Sequence, residues 1–205
     1  MIAIIDYEMG NIRSLQNALD FLGCDSRVTR DPNVITSSEK IILPGVGTFD
    51  LAIKNLKKFE LIPVLNDEVI HKKKCILGIC LGMQVFASSG EENGLTEGLG
   101  WIDGRVVRID SKGKKIRLPH IGFNSIEFFD TKNPLFTDLV SGSDFYFDHG
   151  YIFEDVHMQN IASKTTYGVP FVSSVHKDSI YGTQFHPEKS QSNGLKLLKN
   201  FISIP

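Results

Sequence analysis

Short apolar runs alternate with amphipathic stretches from the start of this chain to Gly90, and that alternation constrains the fold more than any other feature. Residues 2–5 read as a buried strand, after which Ile12, Leu15, Leu19 and Leu22 fall at helical spacing and Gly23 is placed to end the helix. Further strands are expected at residues 27–30 and 40–43, the latter ended by Pro44-Gly45. Helical periodicity covers residues 49–56 and 61–71, and residues 75–79 form the next apolar run, with a helix expected over 81–87. Strands joined through helices by short connections lie parallel and need cover on both faces. The expected class is therefore α/β, with a central, mostly parallel sheet and helices on both faces.

Beyond Gly90 the pattern changes. Gly94, Gly98, Gly100 and Gly104 punctuate a loop-rich stretch, and short runs at residues 105–109, 125–129, 144–147 and 161–165 predict additional antiparallel strands. Residues 171–176 and 180–185 flank Lys177-Asp178-Ser179 as a hairpin, and Leu195, Leu198 and Phe201 predict a closing helix. No linker, repeat or low-complexity segment intervenes, so residues 1–205 are expected to form a single domain.

With 41% hydrophobic and 22% charged residues the chain can build a core, which excludes disorder, collagen and coiled coil. A net charge of −2 supplies no general attraction to nucleic acid or anionic membrane, and the lysine runs at 72–74 and 112–115 read as solvated charge. No apolar stretch has bilayer-spanning length and the start lacks an export signal. Three cysteines, Cys24, Cys75 and Cys80, cannot all pair, so a reducing cytoplasm is expected. No spacing matches a zinc site or a Walker A loop, and neither metal nor cofactor is expected. His149, His157 and His176 read as ordinary hydrogen-bonded histidines.

Gly78-Ile79-Cys80-Leu81-Gly82 is the most informative segment. An apolar strand runs into a cysteine with glycine two residues away on either side, and a helix follows at once. This is a nucleophile elbow with sulfur in place of oxygen. Glycines are needed because side chains beside the strained turn would clash. The helix start is expected to favour thiolate, and the Leu81 N–H to point where an oxyanion would form. Cys24 and Cys75 lack such glycines and read as core residues.

A thiolate attacking a carbonyl needs a proton shuttle. Among six histidines, His186 stands out: it ends an apolar strand and is followed by Pro187-Glu188. If proline keeps the segment extended, Glu188 faces the same way as His186 and orients it. Pro44-Gly45-Val46-Gly47 follows a strand without the third glycine of a dinucleotide fingerprint. Its bare amides at the sheet's carboxyl edge suit a second oxyanion donor. Gln84 and Glu92, just after the elbow, suit the polar ends of an amino acid.

Gly-Ile-Cys-Leu-Gly-Met-Gln at 78–84 with His186-Pro187-Glu188 resembles the triad, or class I, glutamine amidotransferases. Residues 4–7, 9–11, 43–47, 119–122, 184–190 and 194–195 narrow this to a resemblance to glutaminase subunits of imidazole glycerol phosphate synthase. The resemblance implies a flavodoxin-like domain that hydrolyses glutamine to glutamate and ammonia through a thioester on Cys80. His186 would be base and acid and Glu188 its orienter, with Val46 and Leu81 amides as oxyanion hole. Gly45, Gly47, Gln84 and Glu92 would bind glutamine. Lys189, with Asn11 and Phe123, would face a TIM-barrel cyclase subunit that receives the ammonia and makes imidazole glycerol phosphate and an aminoimidazole-carboxamide nucleotide for histidine biosynthesis.

Glu8, Phe123, Asp148 and Gly150 depart from the residues commoner in that group. They leave the triad intact and bear on the ammonia acceptor, so a paralogous glutaminase serving a sugar amidotransferase for acetamidino glycans is a second expectation. A stand-alone cysteine hydrolase is a third, since elbow and triad suit any acyl transfer.

Overall fold

The computed structural model describes residues 1–205, and its first half winds as strand and helix in turn. β1 (Ile2–Ile5) leads to α1 (Ile12–Phe21), and β2 (Ser26–Thr29) to α2 (Pro32–Ser37). β3 (Lys40–Gly45) leads to α3 (Phe49–Lys58) and α4 (Leu61–Asn66), which a π turn, Asp67–His71, extends. β4 (Cys75–Cys80) then meets α5 (Leu81–Gln84). Short strands follow: β5 (Ser89–Gly90), β6 (Thr96–Glu97), β7 (Arg105–Arg108), β8 (His120–Ser125) and β9 (Glu127–Phe128). β10 (Asp144–His149), β11 (Tyr151–Glu154), β12 (Ile161–Tyr167), β13 (Val169–Lys177) and β14 (Ile180–Thr183) precede the closing α6 (Gln191–Ser203).

The main sheet has eight strands in the order β2-β1-β3-β4-β14-β13-β12-β9. The first five are parallel, and β13, β12 and β9 run antiparallel. Alternate side chains feed two cores. Ile41, Leu43 and Ile76 pack with α3 and α4, while Ile42, Leu77 and Ile79 pack with α1 and α6. Burial on both faces is why the inner strands read as unbroken apolar runs. Two smaller sheets, β10-β8 and β11-β7-β5-β6, stand beyond the main one. No helix is long and apolar enough to cross a membrane.

Several elements differ from expectation, the unexpected strands β5, β6 and β11 among them. α2 carries little periodicity, with Ile35 its one buried residue, but Asp31 caps it by accepting from the Asn33 N–H at 2.9 Å and Pro32 starts it. β3 continues through Pro44-Gly45 because its ladder with β1 stops at Ile42, so proline interrupts no pairing there. The strand expected at 125–129 is only the two-residue β9, paired with β12, while the longer β8 before it was not expected: it pairs with β10 and its Ile121 and Phe123 are exposed, leaving no apolar run to read. α5 is a single turn that ends at Gln84, after which the Phe86 carbonyl accepts from the Trp101 and Ile102 amides at 2.9 and 3.1 Å.

Candidate active site

β4 brings Cys80 to the carboxyl edge of the sheet, between the ends of β3 and β14. Cys80 has φ 54° and ψ −111°, a conformation that costs a side-chain-bearing residue energy and turns its sulfur out of the strand. The two glycines make room for this turn. A Cβ on Gly78 would lie 2.6 Å from the Gly82 carbonyl oxygen and from Phe86, and one on Gly82 would lie 1.8 Å from the Leu43 carbonyl oxygen.

β14 runs on to His186, whose backbone N–H donates to the Tyr146 carbonyl at 2.8 Å. Its Nδ1 lies 2.8 Å from Glu188 Oε1, and both side chains are buried. The local geometry differs from expectation. Pro187–Lys189 form a 3₁₀ turn, because proline presets the first position of such a turn, and Glu188 curls back beneath the ring instead of facing it along an extended strand. Burial disfavours a charged His186, but the Cys80 sulfur, then Glu188, outweigh it and raise its pKa to about 10. The raised value belongs to the pair: the ring holds a proton while the sulfur beside it is charged.

Cys80 and His186 open on one cavity of ≈ 220 Å³, small beside the roughly 300–1,000 Å³ of pockets for drug-sized ligands. Val46, Gly47, Leu81, Gln84 and Glu92 also line it. Gly45 does not: it lies behind, where a Cβ would be 2.6 Å from the Tyr7 hydroxyl and 2.7 Å from the Gly82 nitrogen. Gly47 has φ +123°, which suits glycine. Glu92 Oε2 accepts from the Phe49 N–H at 2.9 Å at the start of α3, and burial raises its pKa despite that bond. Gln84 Nε2 donates to the Tyr151 carbonyl at 3.1 Å and to Gln184 Oε1 at 2.9 Å, which leaves its Oε1 for the cavity.

Sequence reasoning named no site residue in the wall opposite the elbow, where Asp148 and Gly150 stood only as departures and 119–122 only as a matching block. Pro119, Asp148, His149, Gly150 and Tyr151 line the cavity from the ends of β8, β10 and β11, and the Asp148 carbonyl lies 3.9 Å from Cys80 Sγ. His149 Nδ1 meets the Tyr151 carbonyl at 2.8 Å, its Nε2 lies 3.0 Å from His120 Nδ1, and His120 Nε2 lies 3.3 Å from Asn124 Nδ2. A carbonyl only accepts, so each neutral ring donates through Nδ1 and accepts through Nε2. Burial lowers His149 to about 3 and His120 to about 4.

Gln184 was also missed as a site residue. It is buried, and its Nε2 lies 3.6 Å from Cys80 Sγ. The one available signal was a polar amide inside the apolar run that leads to His186.

Lys189 Nζ sits 5.4 Å from the centre of the Tyr146 ring, and half-exposed Phe123 meets that ring edge-on at 5.6 Å. Asn11 is exposed at the start of α1, which packs against the Pro187–Lys189 turn. Among the departures, Glu8 takes φ 65°, the left-handed region that suits glycine, and its carboxylate faces Arg30 and Lys58 at 3.5 and 3.4 Å. At Gly150 the nearest atom to an added Cβ is Pro119 Cβ at 4.0 Å, so a side chain would fit.

A cysteine elbow opposite a carboxylate-oriented histidine, on a mostly parallel sheet, is the apparatus of a cysteine-dependent acyl transferase. The family model for class-I glutamine amidotransferases matches residues 3–204, and the chain belongs to that family. Its relatives narrow the class further. It is 46% identical over 202 residues to a protein of Methanococcus maripaludis named imidazole glycerol phosphate synthase subunit HisH 2, covering 98% of each. It is 44% identical over 204 residues to subunit HisH 1 of the same synthase from Campylobacter jejuni, covering 100% of each. Among solved structures, a glutamine amidotransferase shares the fold with a TM-score of 0.75 at 16% identity, covering 98% of this chain and 97% of that one.

Proposed function

We infer that residues 1–205 act as one glutaminase domain, the ammonia-producing subunit of an imidazole glycerol phosphate synthase in histidine biosynthesis. Cys80 sulfur attacks the carboxamide carbon of L-glutamine while its proton passes to His186. The oxygen gathers negative charge facing the amides of Leu81 and Val46. Imidazolium His186 returns the proton to the leaving nitrogen, ammonia departs, and a γ-glutamyl thioester remains. His186 then takes a proton from water, whose attack releases glutamate and restores the sulfur. Glu188 orients the ring throughout, and Gly47, Gln84 and Glu92 hold the amino-acid end.

The observation that carries this reading is the meeting of Cys80 and His186 on one small cavity, with Glu188 bonded to the His186 ring, in a chain similar end to end to such subunits. The ammonia acceptor would be a TIM-barrel cyclase subunit in the cytoplasm, docked on the face that carries Lys189, Asn11 and Phe123. Glutamate release should rise strongly when that cyclase and its nucleotide ligand are added, and Cys80→Ala should abolish it. Activity that survives this substitution contradicts the mechanism.

A second reading keeps the glutaminase and changes the acceptor to a sugar amidotransferase. Phe123, exposed beside Tyr146 on the face proposed for the partner, favours it, with Asp148 and Gly150 as further departures on the wall of the glutamine cavity. A deletion strain that grows without histidine would decide for it, and auxotrophy restored by this gene would decide against it.

A further inference from the structure

Two amide side chains lie deep in the site with their orientation set from outside. The Tyr151 carbonyl can only accept, so the Gln84 amide that meets it at 3.1 Å must present Nε2. The same nitrogen lies 2.9 Å from the Gln184 amide, which therefore presents Oε1 to it. Gln184 Nε2 is then the group left to face the sulfur, 3.6 Å from Cys80 Sγ. Gln184 is 0% exposed, between Thr183 and Phe185 in the segment that ends at His186. An amide buried this completely costs stability unless both its ends are used. Here one end is used by Gln84 and the other by the nucleophile.

The sulfur also needs such a donor. The helix start expected to favour thiolate is a single turn of four residues, too short for a substantial macrodipole. His186 faces the sulfur as its proton acceptor, and the Asp148 carbonyl at 3.9 Å can only accept and so favours the protonated thiol, which leaves the Gln184 amide as the neutral side-chain donor aimed at the sulfur.

We propose that Gln184 is a catalytic residue, its Nε2–H donating to Cys80 sulfur and stabilising the thiolate, with Gln84 as the positioning residue that aims it. The protonated sulfur donates to the Asp148 carbonyl. When its proton moves to His186, the charged sulfur accepts from Gln184, and no further reactant is needed. During thioester hydrolysis the same N–H receives the departing sulfur. Gln84 thus has a second task besides facing the substrate, because releasing Gln184 Oε1 would let the amide turn its oxygen toward the sulfur.

Gln184→Met keeps length and volume but has no N–H. The readouts are the 240 nm thiolate absorbance, taken as a difference from Cys80→Ser, and the rate of Cys80 alkylation by iodoacetamide. Peptide mass spectrometry separates Cys80 from Cys24 and Cys75. At neutral pH the thiolate signal should fall and alkylation should slow by about tenfold, the scale of one hydrogen bond to a charged atom. Gln84→Met should slow it less, in the same sense, with Gln184 still in place. Wild-type absorbance and alkylation in Gln184→Met overturn the proposal. If that variant does not fold, an unchanged Gln84→Met overturns it. The proposal rests on Cys80 being the nucleophile. Glutamate release by Cys80→Ala contradicts that reading, whereas wild-type absorbance and alkylation in both substitutions, with Cys80→Ala inactive, remove only the role of Gln184.

Discussion

His120 Nδ1 lies 3.0 Å from His149 Nε2, and the two rings are buried as a neutral pair between Asn124 and the Tyr151 carbonyl. Burial lowers them to about 4 and about 3, against an ordinary histidine value of about 6.5. Between these limits the unfolded chain binds two protons that the fold refuses. Their contribution is therefore complete above about 6.5 and is lost as the pH falls through about 4 and then about 3. Urea midpoints should drop steeply on going from neutral pH to near pH 4, and His149→Gln should flatten that slope. An identical slope in the variant would contradict the assignment.

The pairing of His186 with Glu188 makes a different prediction. Glu188 helps raise His186 to about 10, and its second oxygen is buried without a partner. Glu188→Gln removes that charge and unsettles the tautomer, so glutaminase turnover should fall by at least about a hundredfold. With one cause of the raised value gone, His186 should lose its proton at lower pH. The alkaline limb of kcat/KM against pH should move down, and a limb that stays in place would count against the pairing.

Glycine at the elbow separates two kinds of site. Gly82→Ala would drive a Cβ to 1.8 Å from a backbone oxygen of β3 that cannot step aside. It should cost at least about 3 kcal/mol in chemical denaturation and abolish Cys80 alkylation at its native rate. Gly150→Ser, whose Cβ meets nothing closer than 4.0 Å, should stay within about 0.5 kcal/mol of wild type.

How far the sequence was legible follows from where its signals are local. Strands buried on both faces, such as Ile2–Ile5 and Cys75–Cys80, leave apolar runs, and the elbow leaves two glycines around a cysteine. The pairing of His186 with Glu188 was legible because the two lie two residues apart, although the turn joining them was not the extended one that proline suggested. The far wall was illegible. β8 alternates weakly and exposes Ile121 and Phe123, and the contacts of His120 with His149 and of Gln184 with Cys80 span 29 and 104 residues. α5 was overextended because apolar residues through Ala87 pack as tight turns, not as helix.

The most direct measurement is an acid quench of the protein with glutamine, followed by mass analysis of the cysteine peptides. A γ-glutamyl adduct should appear on Cys80, be absent from Cys24 and Cys75, and vanish with glutamate release in Cys80→Ala. Glutamate released by Cys80→Ala, or turnover through an adduct on another residue, would contradict the account.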